Sequence, residues 1–293
     1  MSNPLYAVTG ASGQLGRLVV TALAQRVAPS QIVALVRDPT AAEDLAALGV
    51  TLRVADYDQP ATLDAAFAGV EKVLLISSNA LGARAAQHQN AIDAAARAGV
   101  TLLAYTSVLR ADISPLGLAE EHRQTEAAIK ASGLPFVLLR NGWYTENYTA
   151  SVPAAVAHGA TLGSAGNGRI ASAARVDYAE AAVAVLLSGT AQAGEIYELA
   201  GDDAYTLPDF AAEIGRQAGK TVTYNDMPEA AFKAALRGFG LPEPLAGLLA
   251  DSDVAASKGA LDDDGHQLSR LIGRATTPWP KTIAAAVQAL PPA

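Results

Sequence analysis

Three glycines at an interval of three residues form the first group suited to holding a ligand. The stretch Thr9-Gly10-Ala11-Ser12-Gly13-Gln14-Leu15-Gly16 follows a short apolar run, residues 5–9, and opens a helical pattern over residues 15–26. Glycines here allow a tight turn and a close backbone approach to a diphosphate, while the helix start supplies amide donors and a favourable dipole. The spacing is Gly-x-x-Gly-x-x-Gly rather than the commoner Gly-x-Gly-x-x-Gly. A glycine turn with no ligand is the bland alternative, but the strand, turn and helix context is in place. The second apolar run, residues 32–36, ends at Val36-Arg37. A site preferring NAD would put a carboxylate there for the ribose hydroxyls, whereas a guanidinium can pair with a 2′-phosphate in a fork. Arg37 therefore predicts NADP(H) over NAD(H), against the alternative of an ordinary surface arginine. Asp38-Pro39-Thr40 reads as the turn into the next helix.

Other signals carry less. Gly215-Arg216-Gln217-Ala218-Gly219-Lys220-Thr221 resembles a P-loop but has one residue too few between its glycines. It also runs from helix to strand, the reverse of a P-loop, so a helix stop at Gly219 is the better reading. Glu120 and Glu121 are sequence neighbours on a helix and do not converge on one substrate. Asp262-Asp263-Asp264 reads as a solvated turn or helix start. His88, His122, His158 and His266 are scattered without ligand spacing, so no metal site is expected. His122 alone has a functional reading, as a group lining a cleft. Asn147-Tyr148-Thr149 matches a glycosylation acceptor, which means little without a secretion signal. There is no Gly-x-Ser-x-Gly elbow for a serine hydrolase.

Composition narrows the classes further. The chain has 293 residues, 51% apolar and only 17% charged, which suits a packed α/β core and argues against disorder. A formal net charge of −8 repels phosphate backbones and argues against nucleic-acid binding. The absence of cysteine removes disulfides, thiolate metal sites and cysteine nucleophiles. Met1-Ser2-Asn3-Pro4 has no basic flank, and no run approaches membrane-spanning length, so a cytoplasmic protein without a membrane partner is expected.

Short apolar runs alternate with helical patterns through the first half. Strands are expected at 5–9, 32–36, 51–55, 73–77, 100–106 and 136–140. Helices are expected at 15–26, 40–48, 61–68, 84–98 and 118–132. That alternation predicts a parallel sheet covered on both faces, a doubly wound α/β (Rossmann) fold. The second half reads as a loop or short hairpin over 159–168, a helix over 177–187 capped by Asp177, and a short strand over 196–199. A helix over 207–217 and a strand over 221–224 precede a mainly helical tail. Residues 1–140 are thus expected to bind the nucleotide. Residues 141–293 should form a smaller, mainly helical lobe that binds substrate, with the two lobes interleaved and the boundary approximate.

With the glycine turn and Arg37 in place, the chain resembles the NmrA-like group of atypical short-chain dehydrogenases. Within that group it is similar to the bacterial NADPH-dependent quinone reductases, nearly end to end. The most specific stretches are Leu74-Leu75-Ile76-Ser77-Ser78, Tyr105-Thr106-Ser107 and Ser114-Pro115-Leu116-Gly117-Leu118-Ala119. Leu139-Arg140-Asn141-Gly142-Trp143-Tyr144-Thr145-Glu146-Asn147-Tyr148 and Asp251-Ser252-Asp253-Val254-Ala255-Ala256-Ser257-Lys258-Gly259 complete the set. The resemblance implies NADP(H) across the carboxyl edge of the sheet, with a quinone in the cleft beside the nicotinamide. Gly10, Ala11, Ser12, Gly13, Gln14, Leu15 and Arg37 would contact the cofactor. Ser77, Ser78 and Asn79 after the fourth strand, and Asn141, Gly142 and Trp143 after the sixth, would do the same.

The Tyr-x-x-x-Lys pair of standard short-chain dehydrogenases is missing. By position against the family, Leu118 replaces the tyrosine and His122 the lysine. A ketone accepts hydride poorly without an acid, but a quinone yields a delocalised phenolate that water can protonate later. Such an acceptor needs orientation more than acid catalysis, hence a flat apolar slot with a few polar anchors. Trp143, Tyr144 and Tyr148 are the expected walls, with core packing as their bland alternative. Asn147 is the expected hydrogen-bond donor to a quinone oxygen, with a helix cap as its alternative. Tyr144 and Asn147 are therefore the candidate catalytic residues. The functional expectation is an NADPH-dependent quinone oxidoreductase. A non-catalytic NADP-sensing regulator and a triphenylmethane-dye reductase are the alternatives. The oligomeric state, a homo-oligomer included, and any need for a flavin stay open.

Overall fold

The computed structural model describes residues 4–291; the Met1-Ser2-Asn3 start, read above for a leader, lies outside the described residues. The chain begins with β1 (Tyr6–Val8), α1 (Gln14–Ala24), β2 (Ile32–Val36), α2 (Glu43–Ala46), β3 (Thr51–Val54) and α3 (Pro60–Phe67). It continues with β4 (Lys72–Leu75), α4 (Arg84–Arg97), β5 (Leu102–Val108), α5 (Ala119–Ala131) and β6 (Phe136–Asn141). Two short helices follow, α6 (Thr145–Thr149) and α7 (Val152–His158), then β7 (Ala160–Gly163), α8 (Arg175–Leu187) and β8 (Ile196–Leu199). The remainder is α9 (Leu207–Ala218), β9 (Thr223–Asp226), α10 (Glu229–Gly238), α11 (Glu243–Ser257), α12 (Gln267–Ile272) and α13 (Trp279–Gln288).

By its contacts the chain divides into two units. The first takes the chain up to Ala111, then Glu120–Asn141 and Val176–Glu198; the second takes Asp112–Ala119, Gly142–Arg175 and the chain from Leu199 onward.

The first unit carries a sheet in the order β3-β2-β1-β4-β5-β6-β8, with parallel pairing wherever the register is defined from β3 to β6. Helices on both faces explain why β2 and β5 are continuous apolar runs with every residue buried. In α1, Leu15, Val19, Val20 and Leu23 form one buried stripe, the spacing that seats a helix on a sheet. On another part of the sheet, Val33, Leu35, Leu63, Phe67, Ile92, Leu103 and Tyr105 belong to one continuous core. Behind β6, Arg140 is buried between two carboxylates. Its Nε and Nη2 donate to Glu126 at 2.9 and 2.8 Å, and its Nη1 donates to Glu198 at 2.8 Å. Ser107 also donates to Glu126, at 2.6 Å, and the Arg110 amide to Glu198, at 2.7 Å. A buried cation paired this fully locks β5, α5, β6 and β8 in one register; removing any one partner would strand a charge.

The second unit holds a small two-stranded sheet in which β7 and β9 run parallel, packed by helices. Its aromatic cluster has Tyr205 stacked on Phe210 at 5.3 Å between ring centroids and 4.6 Å from Trp279, with Tyr148 edge-on at 6.4 Å.

Four local expectations are corrected. The helix expected over 40–48 is a 3-10 turn at Pro39–Ala42, with Asp38 accepting the Thr40 amide, followed by the single turn of α2. Residues 159–168 do not form a hairpin, because β7 takes its partner from β9, some sixty residues on. Asp177 does not cap α8, which begins two residues earlier, and its side chain is fully buried. The strand at 196–199, read as part of the second lobe, completes the large sheet beside β6.

Candidate functional site

The site begins at the turn between β1 and α1. Gly10 adopts φ +56°, a conformation that L side chains rarely take. A Cβ on Gly16 would stand 2.4 Å from the Gly10 carbonyl oxygen and 2.6 Å from the Ala11 Cα, so only glycine fits there. The Gly13 amide donates to the Gly10 carbonyl at 2.9 Å and closes the turn. Among the described residues the amides of Ser12, Gln14 and Leu15 find no acceptor, so the start of α1 offers orphan donors of the kind that bind phosphate.

These residues line a cavity of about 480 Å³ at the carboxyl ends of the strands, where β1 lies between β2 and β4 and the strand order reverses. That is where open α/β sheets hold ligands. Gly10, Ser12, Gly13, Gln14, Leu15, Arg37, Ser77, Ser78 and Asn79 all line it. Ala11 does not: it is fully buried, and its amide donates to the Leu35 carbonyl at 3.1 Å. Arg37 is exposed at the cavity wall, and among the described residues its side chain has no hydrogen bond or ion pair. Asp38 points elsewhere, accepting from the Thr40 amide and hydroxyl at 2.9 and 2.7 Å. The site thus presents a free guanidinium and no competing carboxylate on this loop. Orphan amides, a glycine cradle that a Cβ would fill and an unpaired cation fit a dinucleotide bearing a 2′-phosphate.

The cavity's far wall is braced from below. The Ser77 amide donates to Thr106 Oγ1 at 2.9 Å, and the Ser78 amide to His88 Nε2 at 2.9 Å. Because Nε2 accepts, the proton of a neutral imidazole sits on Nδ1, which lies 3.0 Å from Thr125 Oγ1. Burial, with the Arg84 charge adding to it, pushes His88 down to about 3, which keeps it neutral and keeps that acceptor available. Arg84 Nε donates to the Ser78 carbonyl at 2.7 Å, and the Gly82 amide to Glu121 at 3.0 Å.

Sequence reasoning missed several cavity residues. Tyr57 and Asp58 follow β3, and Gln87 lies on α4. The Tyr57 hydroxyl lies 2.6 Å from Thr9 Oγ1 and 2.9 Å from the Ile76 carbonyl oxygen, tying the β3 loop to β1 and β4. Asp58 accepts from Gln87 through both oxygens at 3.0 Å, and Gln87 in turn accepts the Ser78 hydroxyl at 2.6 Å. The rule that ligands sit beyond strand carboxyl ends pointed to the loop after β3, but no residue type there announced it.

His122 is not a cleft group. It is buried, with Nδ1 2.7 Å from the Tyr105 hydroxyl, and burial, with the nearby Arg84 charge, holds it well below its ordinary range. Glu120 and Glu121 diverge, one pairing with Arg123 and the other with Gly82.

Asn141 closes β6 in the first unit, where it is buried and its carbonyl accepts the Leu109 amide at 2.9 Å. Gly142, Trp143, Tyr144 and Asn147 belong to the second unit and do not line the cavity described. There residues 143–146 run alongside 173–175. Tyr144 bridges Ala173, the Ala173 amide donates to the Trp143 carbonyl at 3.2 Å, and the Thr145 amide to the Ala173 carbonyl at 2.9 Å. Glu146 accepts the Arg175 amide through both oxygens, at 2.9 and 3.0 Å. This brings the Arg175 guanidinium over the Tyr144 ring, 4.8 Å from its centroid, and its Nη2 to 3.4 Å from Asn147 Oδ1. Asn147 is exposed, Trp143 and Tyr144 are half-buried, and Tyr148 joins the aromatic cluster. Among the described residues no helix is long and apolar enough to cross a membrane, and no histidine or acidic cluster could hold a metal ion.

A doubly wound parallel sheet with a glycine turn at its switch point defines a dinucleotide-binding protein of the Rossmann type. The chain belongs to the NmrA-like family, whose model matches residues 3–275. It is 57% identical over 273 residues to quinone oxidoreductase 2 of Escherichia coli, covering 93% of this chain and 95% of that protein. It is also similar to the crystal structure of the E. coli NADPH-dependent quinone oxidoreductase complexed with NADPH. That match has a TM-score of 0.93 at 55% identity over 96% of this chain and 99% of the other. The Citrobacter triphenylmethane reductase complexed with NADP(H) matches with a TM-score of 0.91 at 37% identity, over 96% and 99% of the two chains.

Proposed function

We propose that this chain is an NADPH-dependent quinone oxidoreductase. The observation that carries the cofactor assignment is Arg37, a guanidinium that has no partner among the described residues and stands on the wall of the nucleotide cavity. The acceptor assignment rests on the high identity, over nearly the whole chain, to a quinone oxidoreductase.

When bound, NADPH supplies a hydride. The chain's own contribution is binding and orientation. The Ser12, Gln14 and Leu15 amides would hold the pyrophosphate, Arg37 the 2′-phosphate, and the braced Ser77–Asn79 wall would flank the cofactor. Where a standard short-chain dehydrogenase keeps its acid, Leu118 has no proton to give, and His122 is buried against Tyr105. A quinone tolerates that absence, because the anion formed on hydride addition is delocalised and water protonates it afterwards.

Tyr144 and Asn147 act on the acceptor in this reading. Tyr144 offers aromatic surface, and Asn147 an amide whose Oδ1 faces Arg175, so that its NH₂ group is the donor available to a quinone oxygen. The first unit then serves the cofactor and the second unit the acceptor.

The experiment is loss of the reduced nicotinamide's near-ultraviolet absorbance on adding a simple benzoquinone, corrected for the uncatalysed reaction. Asn147→Ala should lower turnover on the order of 10- to 1000-fold with little change in NADPH affinity. Tyr144→Ala should mainly raise KM for the quinone, since a wall binds ground and transition states alike. Unchanged rates in both variants would move the acceptor site elsewhere. Tight NADPH binding without oxidation by any of several quinones or dyes would make the chain a sensor.

A further inference from the structure

We propose that Arg175 selects the acceptor: planar quinones carrying an anionic ring substituent, a sulfonate or a carboxylate, bind in preference to neutral ones. This rests on the reading above that Tyr144 and Asn147 belong to the acceptor site.

The Arg175 backbone is fixed at the first residue of α8 by the two bonds from its amide to Glu146. Its side chain lies over the Tyr144 ring, a cation on the negative face of an aromatic quadrupole. One Nη2–H is directed at Asn147 Oδ1, at the long distance of 3.4 Å. Among the described residues no carboxylate pairs with this guanidinium. The Glu146 carboxylate is engaged by the Arg175 amide instead.

Among the described residues Arg37 shares that lack of a carboxylate partner, but it is exposed on the wall of the nucleotide cavity. Arg17, Arg97, Arg123, Arg140, Arg216 and Arg237 each pair with an aspartate or glutamate. Arg175 is instead half-buried, pre-oriented by a ring and next to the amide proposed to bind the acceptor oxygen. Stacking fixes the plane of the fork, so little side-chain freedom is left to lose when an anion binds. A guanidinium also presents two parallel N–H donors to a carboxylate or sulfonate, which a neutral quinone cannot use.

A charge-assisted hydrogen bond is weakened, but not abolished, by solvent at a half-exposed position. The preference should therefore be about 5- to 20-fold.

The test measures binding rather than turnover. Protein saturated with NADP⁺ is titrated by calorimetry with anthraquinone-2-sulfonate and with neutral 2-hydroxymethylanthraquinone. The same titrations are made on Arg175→Met, Arg175→Lys, Tyr144→Ala and Asn147→Ala, with thermal melts as the folding control. We expect the wild-type ratio of the two affinities to favour the sulfonate, to collapse towards unity in Arg175→Met, and to recover in part in Arg175→Lys. A ratio that survives in Arg175→Met, while Tyr144→Ala or Asn147→Ala weakens both ligands, overturns the role of Arg175 alone. If neither Tyr144→Ala nor Asn147→Ala alters the binding of either ligand, the acceptor-site reading falls, and the Arg175 proposal falls with it.

Discussion

Gly13 and Gly16 differ by three positions in the same turn, yet a single methyl group should have different consequences at the two. At Gly16 the added Cβ would meet the Gly10 carbonyl oxygen at 2.4 Å and the Ala11 Cα at 2.6 Å. Both are backbone atoms of the turn itself, and real Cβ contacts essentially never fall below 3.0 Å. The turn must therefore shift by several tenths of an ångström, at an overpacking cost of roughly 1–3 kcal/mol. At Gly13 the same Cβ would have one close neighbour, the Gly10 carbonyl at 3.2 Å, and the backbone there is ordinary at φ −76°. That contact is tight but accommodated by a small adjustment, so Gly13→Ala should cost about 0.5 kcal/mol or less of stability. Both residues line the nucleotide cavity, so both variants should lose NADPH affinity. Gly13→Ala does so by occupying ligand space, and Gly16→Ala by displacing the donors. Thermal melts without cofactor separate the two: Gly16→Ala should melt several degrees lower, and Gly13→Ala close to wild type. Calorimetric NADPH titration should show weakening in both, by at least tenfold in Gly16→Ala. Equal melting temperatures in the two variants, or wild-type NADPH affinity in Gly16→Ala, would contradict this difference between the two glycines.

Three further outcomes follow from the same geometry. Arg37→Asp replaces the free guanidinium with a repelling carboxylate and should cost roughly 2–4 kcal/mol of NADPH affinity, reversing the preference over NADH; equal affinities for the two cofactors in wild type would contradict the assignment. His88→Leu leaves the part-buried Ser78 amide without its acceptor and should cost about 1–2 kcal/mol of stability, read by denaturant unfolding. His88 sits near 3 when folded and 6.5 when unfolded, so the unfolded chain binds more protons between those values. Stability from His88 is thus complete above pH 6.5 and lost as pH falls towards 3, a slope the leucine variant should lack. Asp253 has the opposite sign. Burial, reinforced by the Asp226 charge and opposed by the Ser164 amide bond, pushes it up to about 6, so the folded chain holds the extra proton. Its contribution falls as pH rises from about 4 to 6, by about 2–3 kcal/mol, and Asp253→Asn should unfold with a flatter pH dependence across that window.

Much of the first unit was legible in the sequence because its elements are set by local pattern. Continuous apolar runs such as Ile32–Val36 can only be buried strands, and Leu15, Val19 and Leu23 mark the one face of α1 that can lie on them. The glycine turn and Arg37 were equally readable, since backbone freedom and formal charge belong to residue types and need no partner to be recognised. The sequence likewise determined that no acid stands at the position of the usual tyrosine, because leucine is leucine in any fold. What depends on pairing across distance was not readable. β8 carries only four residues with a weak pattern, and its place beside β6 follows from the register that the buried Arg140–Glu198 pair demands. β7 and β9 are individually unremarkable, and only their mutual pairing makes them strands. Tyr57, Asp58 and Gln87 enter the cavity because loops after β3 and β4 converge there, and His122 leaves it because its ring is taken by Tyr105. The approach of Arg175 to Tyr144 and Asn147, nearly thirty residues apart in the chain, was decided by Glu146 gripping the start of α8. Residue type determines what a side chain can do; its neighbours, which only the tertiary structure assigns, decide whether it is free to do it.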